Sequence, residues 1–154
     1  MEVSYCEGWF RHFKKISGLL SEEEAKNREK NGEVYTVIIG DHENPFCFIE
    51  INKGFYGVSF LDDYKREFLS YNFDEQENGL LFLKEAINTE FEGNSDNMLK
   101  NTAYWFTPDG NVKIGESKPP FQKVEVIEKK ADVSRNWEKK PEFGKYENLI
   151  KKDR

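Results

Sequence analysis

From residue 67 to 73 apolar and polar positions alternate, with Leu69, Tyr71 and Phe73 on one side and Ser70 and Asn72 on the other. A period of two is that of a half-buried strand. Three earlier runs, at 34–39, 46–51 and 55–61, are short and rich in β-branched and aromatic residues. Turn chemistry separates them: Asp41-His42-Glu43-Asn44-Pro45, then Asn52-Lys53-Gly54. Four strands with short connections predict an antiparallel meander. Downstream, 103–107 and 111–116 flank Pro108-Asp109-Gly110, which predicts a hairpin, and 121–127 reads as one more strand.

Two stretches carry helical spacing. Leu80, Leu83, Ile87 and Phe91 recur with a period near 3.6, and Gly93 follows as a stop. A helix over 79–92 is expected, with its apolar stripe on one face of the sheet. Near the start, Trp9, Phe13, Ile16 and Leu20 fit a first amphipathic helix. Ser21 with Glu22, Glu23 and Glu24 then reads as a capping box, with Gly32 as the stop. Residues 93–101 read as a polar loop. The expected fold class is α+β: a mainly antiparallel sheet, meander plus hairpin, with the 79–92 helix on one face and an N-terminal helical segment. One domain spans 1–154, with a helical lead-in over 1–32 and the sheet and helix core over 33–130. An irregular segment over 131–150 is expected to dock, because it holds Trp137, Phe143 and Tyr146. Residues 151–154 are expected to fray.

Composition changes the picture in three ways. Only 37% of residues are apolar, but 13 Phe, 7 Tyr and 3 Trp make an aromatic core sufficient for a domain of 154 residues. Charge is uneven: the net charge is −6, and residues 41–98 carry 13 acidic against 4 basic groups. That module disfavours nucleic acid and favours a basic protein partner. Cys6 and Cys47 read as reduced thiols. The first ten residues hold Glu2 and Glu7 and no basic leader, and no apolar run approaches a membrane span, so a cytoplasmic protein is expected.

Candidate chemistry is sparse. Lys53-Gly54-Phe55-Tyr56-Gly57-Val58-Ser59-Phe60 overlaps an RNA-binding strand motif, but Tyr56 and Gly57 break it where a small residue and a stacking ring are needed. His12 and His42 lack metal-ligand spacing, and neither cysteine forms a C-x-x-C pair. No nucleophile elbow or phosphate loop is present. No cofactor or metal is expected, and the chain reads as a binding protein rather than an enzyme. Asp62, Asp63, Tyr64 and Glu67, with Glu50 and Asp74 as neighbours, form the candidate patch for a basic partner.

The order of features has a parallel. Phe48-Ile49-Glu50-Ile51-Asn52-Lys53-Gly54-Phe55-Tyr56-Gly57-Val58 is followed by Phe60-Leu61-Asp62-Asp63, then Leu81-Phe82-Leu83-Lys84-Glu85-Ala86. Tyr104-Trp105-Phe106 with Pro108-Asp109-Gly110 follows, and Asn136-Trp137-Glu138 with Pro141-Glu142-Phe143-Gly144-Lys145-Tyr146 closes it. Over roughly 34–150 this resembles a family of bacterial immunity proteins from polymorphic-toxin and contact-dependent growth inhibition systems. The resemblance implies a cytoplasmic antitoxin that binds a cognate toxin domain, a nuclease in the leading reading, and blocks its active site or substrate groove. The alternatives are a nucleic-acid-binding domain using the 53–60 strand and the basic tail, and a small enzyme with an unrecognised carboxylate site.

Overall fold

A computed structural model describes residues 1–154. In chain order the elements are β1 (Val3–Phe10), β2 (Lys15–Leu20), α1 (Glu22–Asn31), β3 (Tyr35–Gly40), β4 (Pro45–Asn52) and β5 (Phe55–Leu61). They continue with β6 (Glu67–Glu75), β7 (Leu81–Phe91), β8 (Met98–Phe106), β9 (Asn111–Ser117), β10 (Glu125–Lys130) and the short β11 (Trp137–Glu138). All strands belong to one antiparallel sheet in the order β10-β9-β8-β7-β6-β5-β4-β3-β1-β2, with β11 paired to β7. From β3 to β10 every strand lies beside its predecessor, so the meander expected over 34–73 runs on to residue 130.

The helix expected over 79–92 is instead strand β7. Its inward positions are Leu81 and Leu83, opposite Glu75 and Phe73, and then Ala86, opposite Tyr71. Lys84 is an extra residue, because the register shifts between Asn72 and Phe73. A bulge of this kind moves the inward phase by one residue. The inward spacing becomes i, i+2 and then i, i+3, and of the expected stripe of Leu80, Leu83, Ile87 and Phe91 only Leu83 is buried. The 93–101 loop is correspondingly shorter, since β8 begins at Met98.

The amphipathic helix expected across 9–20 is a hairpin. Trp9 faces Ile16, and Tyr5 faces Leu20, across β1 and β2. The turn at 11–14 is Arg-His-Phe-Lys, with Lys14 at φ 52 and neither Gly nor Pro to announce it. The one helix, α1, starts where its capping box stands. Ser21 Oγ accepts from the Glu24 N–H at 3.1 Å, the Glu24 carboxylate accepts from the Ser21 N–H at 3.0 Å, and Gly32 ends it at φ 68.

One face of the sheet carries the main core, including Tyr35, Val37, Ile49, Val58, Phe60 and Phe73. Ala25 of α1 covers it at the β1–β3 end, and Tyr146 and Leu149 of the C-terminal segment complete the cluster. The opposite face holds a smaller cluster of Cys6, Trp9, Ile38, Phe48 and Leu61. The last four residues, where fraying is expected, make specific contacts. Tyr71 Oη donates to the Lys152 carbonyl at 2.5 Å, and Arg154 donates to Glu138 at 3.2 Å and to the Asn148 carbonyl at 2.5 Å. An apolar anchor at Leu149 and a terminal ion pair together hold a segment that has little regular structure.

Candidate functional site

The acidic candidates occupy three places. Asp62, Asp63 and Tyr64 form the β5–β6 turn. Glu50 and Glu67 stand on the face opposite the main core, joined by Arg11, whose guanidinium reaches Glu50 at 2.6 Å and Glu67 at 3.0 Å while lying over the Phe48 ring. Asp74 is opposite Phe55 at the far end of β5, roughly 20 Å from the turn at about 3.3 Å per residue, and pairs with Lys84 at 2.7 Å.

Most of these carboxylates are already engaged. Asp62 accepts from the Tyr64 and Arg66 backbone N–H groups at 2.9 and 3.0 Å, and from Arg66 Nε at 2.8 Å. Partial burial opposes ionisation of Asp62, but these hydrogen bonds outweigh it and hold the carboxyl below its ordinary value. Arg66 lies over the Phe91 and Tyr64 rings and donates to the carbonyls of Gly93 and Ser95. The cluster therefore ties the β5–β6 turn to the β7–β8 turn. Asp63 is the one carboxylate of the six candidates without an ion pair or hydrogen bond, and Tyr64 is exposed. A partner that used this patch would have to displace internal cations.

The 53–60 strand is β5, in the middle of the sheet. Tyr56, Val58 and Phe60 are buried in the main core, and Phe55 lies under Lys84. No ring of this strand stands free to stack on a base. No group of three His, Cys, Asp or Glu side chains is placed to hold a metal ion. No helix is long and apolar enough to cross a membrane.

The geometry opens elsewhere. Beside the C-terminal segment the core face of β6–β9 opens into a groove of about 560 Å³. Its floor comprises Leu69, Tyr71, Leu83, Ala86, Val112 and Ile114, and Tyr104 and Phe106 stack along it with ring centroids 6.4 Å apart. Asn136 closes one wall by donating from Nδ2 to the Leu83 carbonyl at 2.9 Å, beside the bulge. On the rim, Arg135 and Lys129 make no ion pair. Arg154, with a side chain only 5% exposed, also lines the groove, and its buried Nε has no acceptor. The arrangement is an apolar trough with cationic hydrogen-bond donors on one side.

Sequence reasoning missed this groove because its residues come from five strands, the segment after β10 and the C-terminal residue. The alternation of Tyr104 and Phe106 was visible, but not that the two rings border a groove. The chain matches no protein-family model, no curated protein and no solved structure.

Proposed function

We propose that this chain is a binding protein of the toxin-neutralising type, acting in the cytoplasm on a cognate toxin domain, and that it engages its partner through the β6–β9 groove. The carrying observation is the apolar trough bordered by Arg135 and Lys129, two cations with no ion pair within the chain. Tyr and Arg around an apolar floor are the residue types that dominate binding hot spots. The fitting element is an apolar segment bearing a carboxylate, which would shield the trough and pair with Arg135 on its rim. The pairing of Glu50, Asp62, Glu67 and Asp74 with Arg11, Arg66 and Lys84 favours this groove over the acidic patch as the contact surface. A carboxylate-bearing segment also suits a toxin of any activity, so a nuclease target is a narrower form of the proposal.

The test is titration calorimetry with the toxin domain encoded beside this gene. Tyr104→Ala and Arg135→Glu are expected to weaken binding at least about tenfold, on the scale of a hot-spot truncation. Asp63→Lys is expected to leave it within about twofold, as for a residue outside the interface. The reverse pattern would return the interface to the acidic patch. Absence of binding by the unaltered protein would refute the antitoxin reading.

A further inference from the structure

β10 ends the sheet, and all six of its residues are exposed. Val124, Val126 and Ile127 are 55%, 54% and 61% exposed, so apolar side chains stand on both faces of an open edge. Edge strands are normally blunted because their free N–H and C=O groups template pairing with another strand. Here the phase of the free groups can be worked out. β10 pairs with β9 in unbroken register from Glu125↔Glu116 to Lys130↔Asn111, and the Ala131 N–H continues it by donating to the Gly110 carbonyl at 2.9 Å. In an antiparallel ladder the hydrogen-bonded pairs alternate. Odd-numbered residues of β10 therefore turn their backbone groups toward β9, and Val126, Glu128 and Lys130 turn theirs to the open edge.

We propose that β10 is a homodimerisation edge. Two copies join antiparallel about a two-fold axis through Ile127, so that Glu125 of each faces Lys129 of the other.

The argument is charge complementarity within the strand itself. A two-fold axis normal to the sheet places a residue opposite its own copy, which limits the registers. Centred on Ile127, the two isoleucines meet, Glu125 and Lys129 pair twice, and Val126 and Glu128 exchange their free backbone hydrogen bonds. The Ile127 and Glu125–Lys129 positions are then the non-hydrogen-bonded ones, where side chains lie closest. Centred on Glu128, that carboxylate would face its own copy. Centred on Val126, Lys123 would face Lys129. Among registers centred within β10, the Ile127 register alone avoids like charges and pairs unlike ones. Neither Glu125 nor Lys129 has an ion-pair partner within the monomer. The same pairing places the grooves of both copies on one face of a continuous sheet.

Sedimentation velocity over a concentration series of the full chain tests this, with circular dichroism as the folding control. The unaltered protein should show a concentration-dependent dimer. Glu125→Lys and Lys129→Glu should each weaken dimerisation at least about tenfold, because each sets two like pairs face to face. The double variant E125K/K129E should restore it to within about threefold. Ile127→Asp should give a folded monomer. A monomer at all concentrations, or a double variant no better than the singles, would overturn the proposal. Toxin binding is measured separately, so failure here leaves the groove reading intact.

Discussion

Leu149→Ala tests whether the irregular C-terminal segment is part of the cooperative fold. Leu149 is fully buried in the main core, together with Tyr146, and its N–H closes a local turn on the Tyr146 carbonyl at 2.9 Å. The substitution removes three carbons from a dry site, roughly 2.5 kcal/mol at about 0.8 kcal/mol each. A residual cavity adds to this, and leucine truncations in cores span about 2–5 kcal/mol. The segment is held by few backbone bonds and can settle inward, so a value near 3 kcal/mol is expected. At this chain length that lowers the melting temperature by roughly 6–12 °C. Urea unfolding of a W9F/W105F background, followed by both far-UV dichroism and fluorescence of the remaining Trp137, is the assay, because Trp137 sits on the segment and packs on Phe82 of β7. The two probes should move together to a lower midpoint with the slope unchanged. Leu19→Ala, 65% exposed on β2, is the control and should change stability by less than about 0.5 kcal/mol. A loss below about 1 kcal/mol, or a Trp137 transition well ahead of the dichroism, would show that the sheet does not depend on the segment and refute the reasoning.

Two further outcomes follow from buried and hydrogen-bonded groups. Asp62 has its carboxyl held below the ordinary value of 3.8, so its contribution is present above that pH and is lost as pH falls through the lower folded value. Asp62→Ala should therefore cost about 1–2 kcal/mol at pH 7 and remove part of the acid-side slope of stability, and an unchanged pH profile would show that the turn does not need the carboxylate. Cys6 and Cys47 are fully buried in separate clusters, and burial pushes their thiols up to about 11 and about 12. Neither should react with a thiol-specific disulfide reagent at pH 8 until denaturant is added, and stoichiometric labelling of the native protein would contradict the packing.

Local chemistry decided the parts of this fold that depend on neighbouring residues. The Ser21 capping box, the Asn52-Lys53-Gly54 and Pro108-Asp109-Gly110 turns and the alternation over 67–73 each work within a few residues, and each stands where the sequence places it. The acidic excess of 41–98 was equally legible as a sum, because charge is additive along a chain.

Tertiary structure decided what depends on residues far apart. The Lys84 bulge and the 11–14 turn changed the period of the apolar positions, and only cross-strand pairing separates a phase-shifted strand from a helix. Arg11 joins Glu50 to Glu67 across 39 and 56 residues, so paired and free carboxylates look alike until the sheet is assembled. The groove likewise exists because the C-terminal segment packs beside the stretch of β6–β9 that Leu69, Ala86, Tyr104 and Ile114 line, and leaves it open. Sequence periodicity reports which face a residue takes. Whether another segment covers that face is settled by where the chain returns.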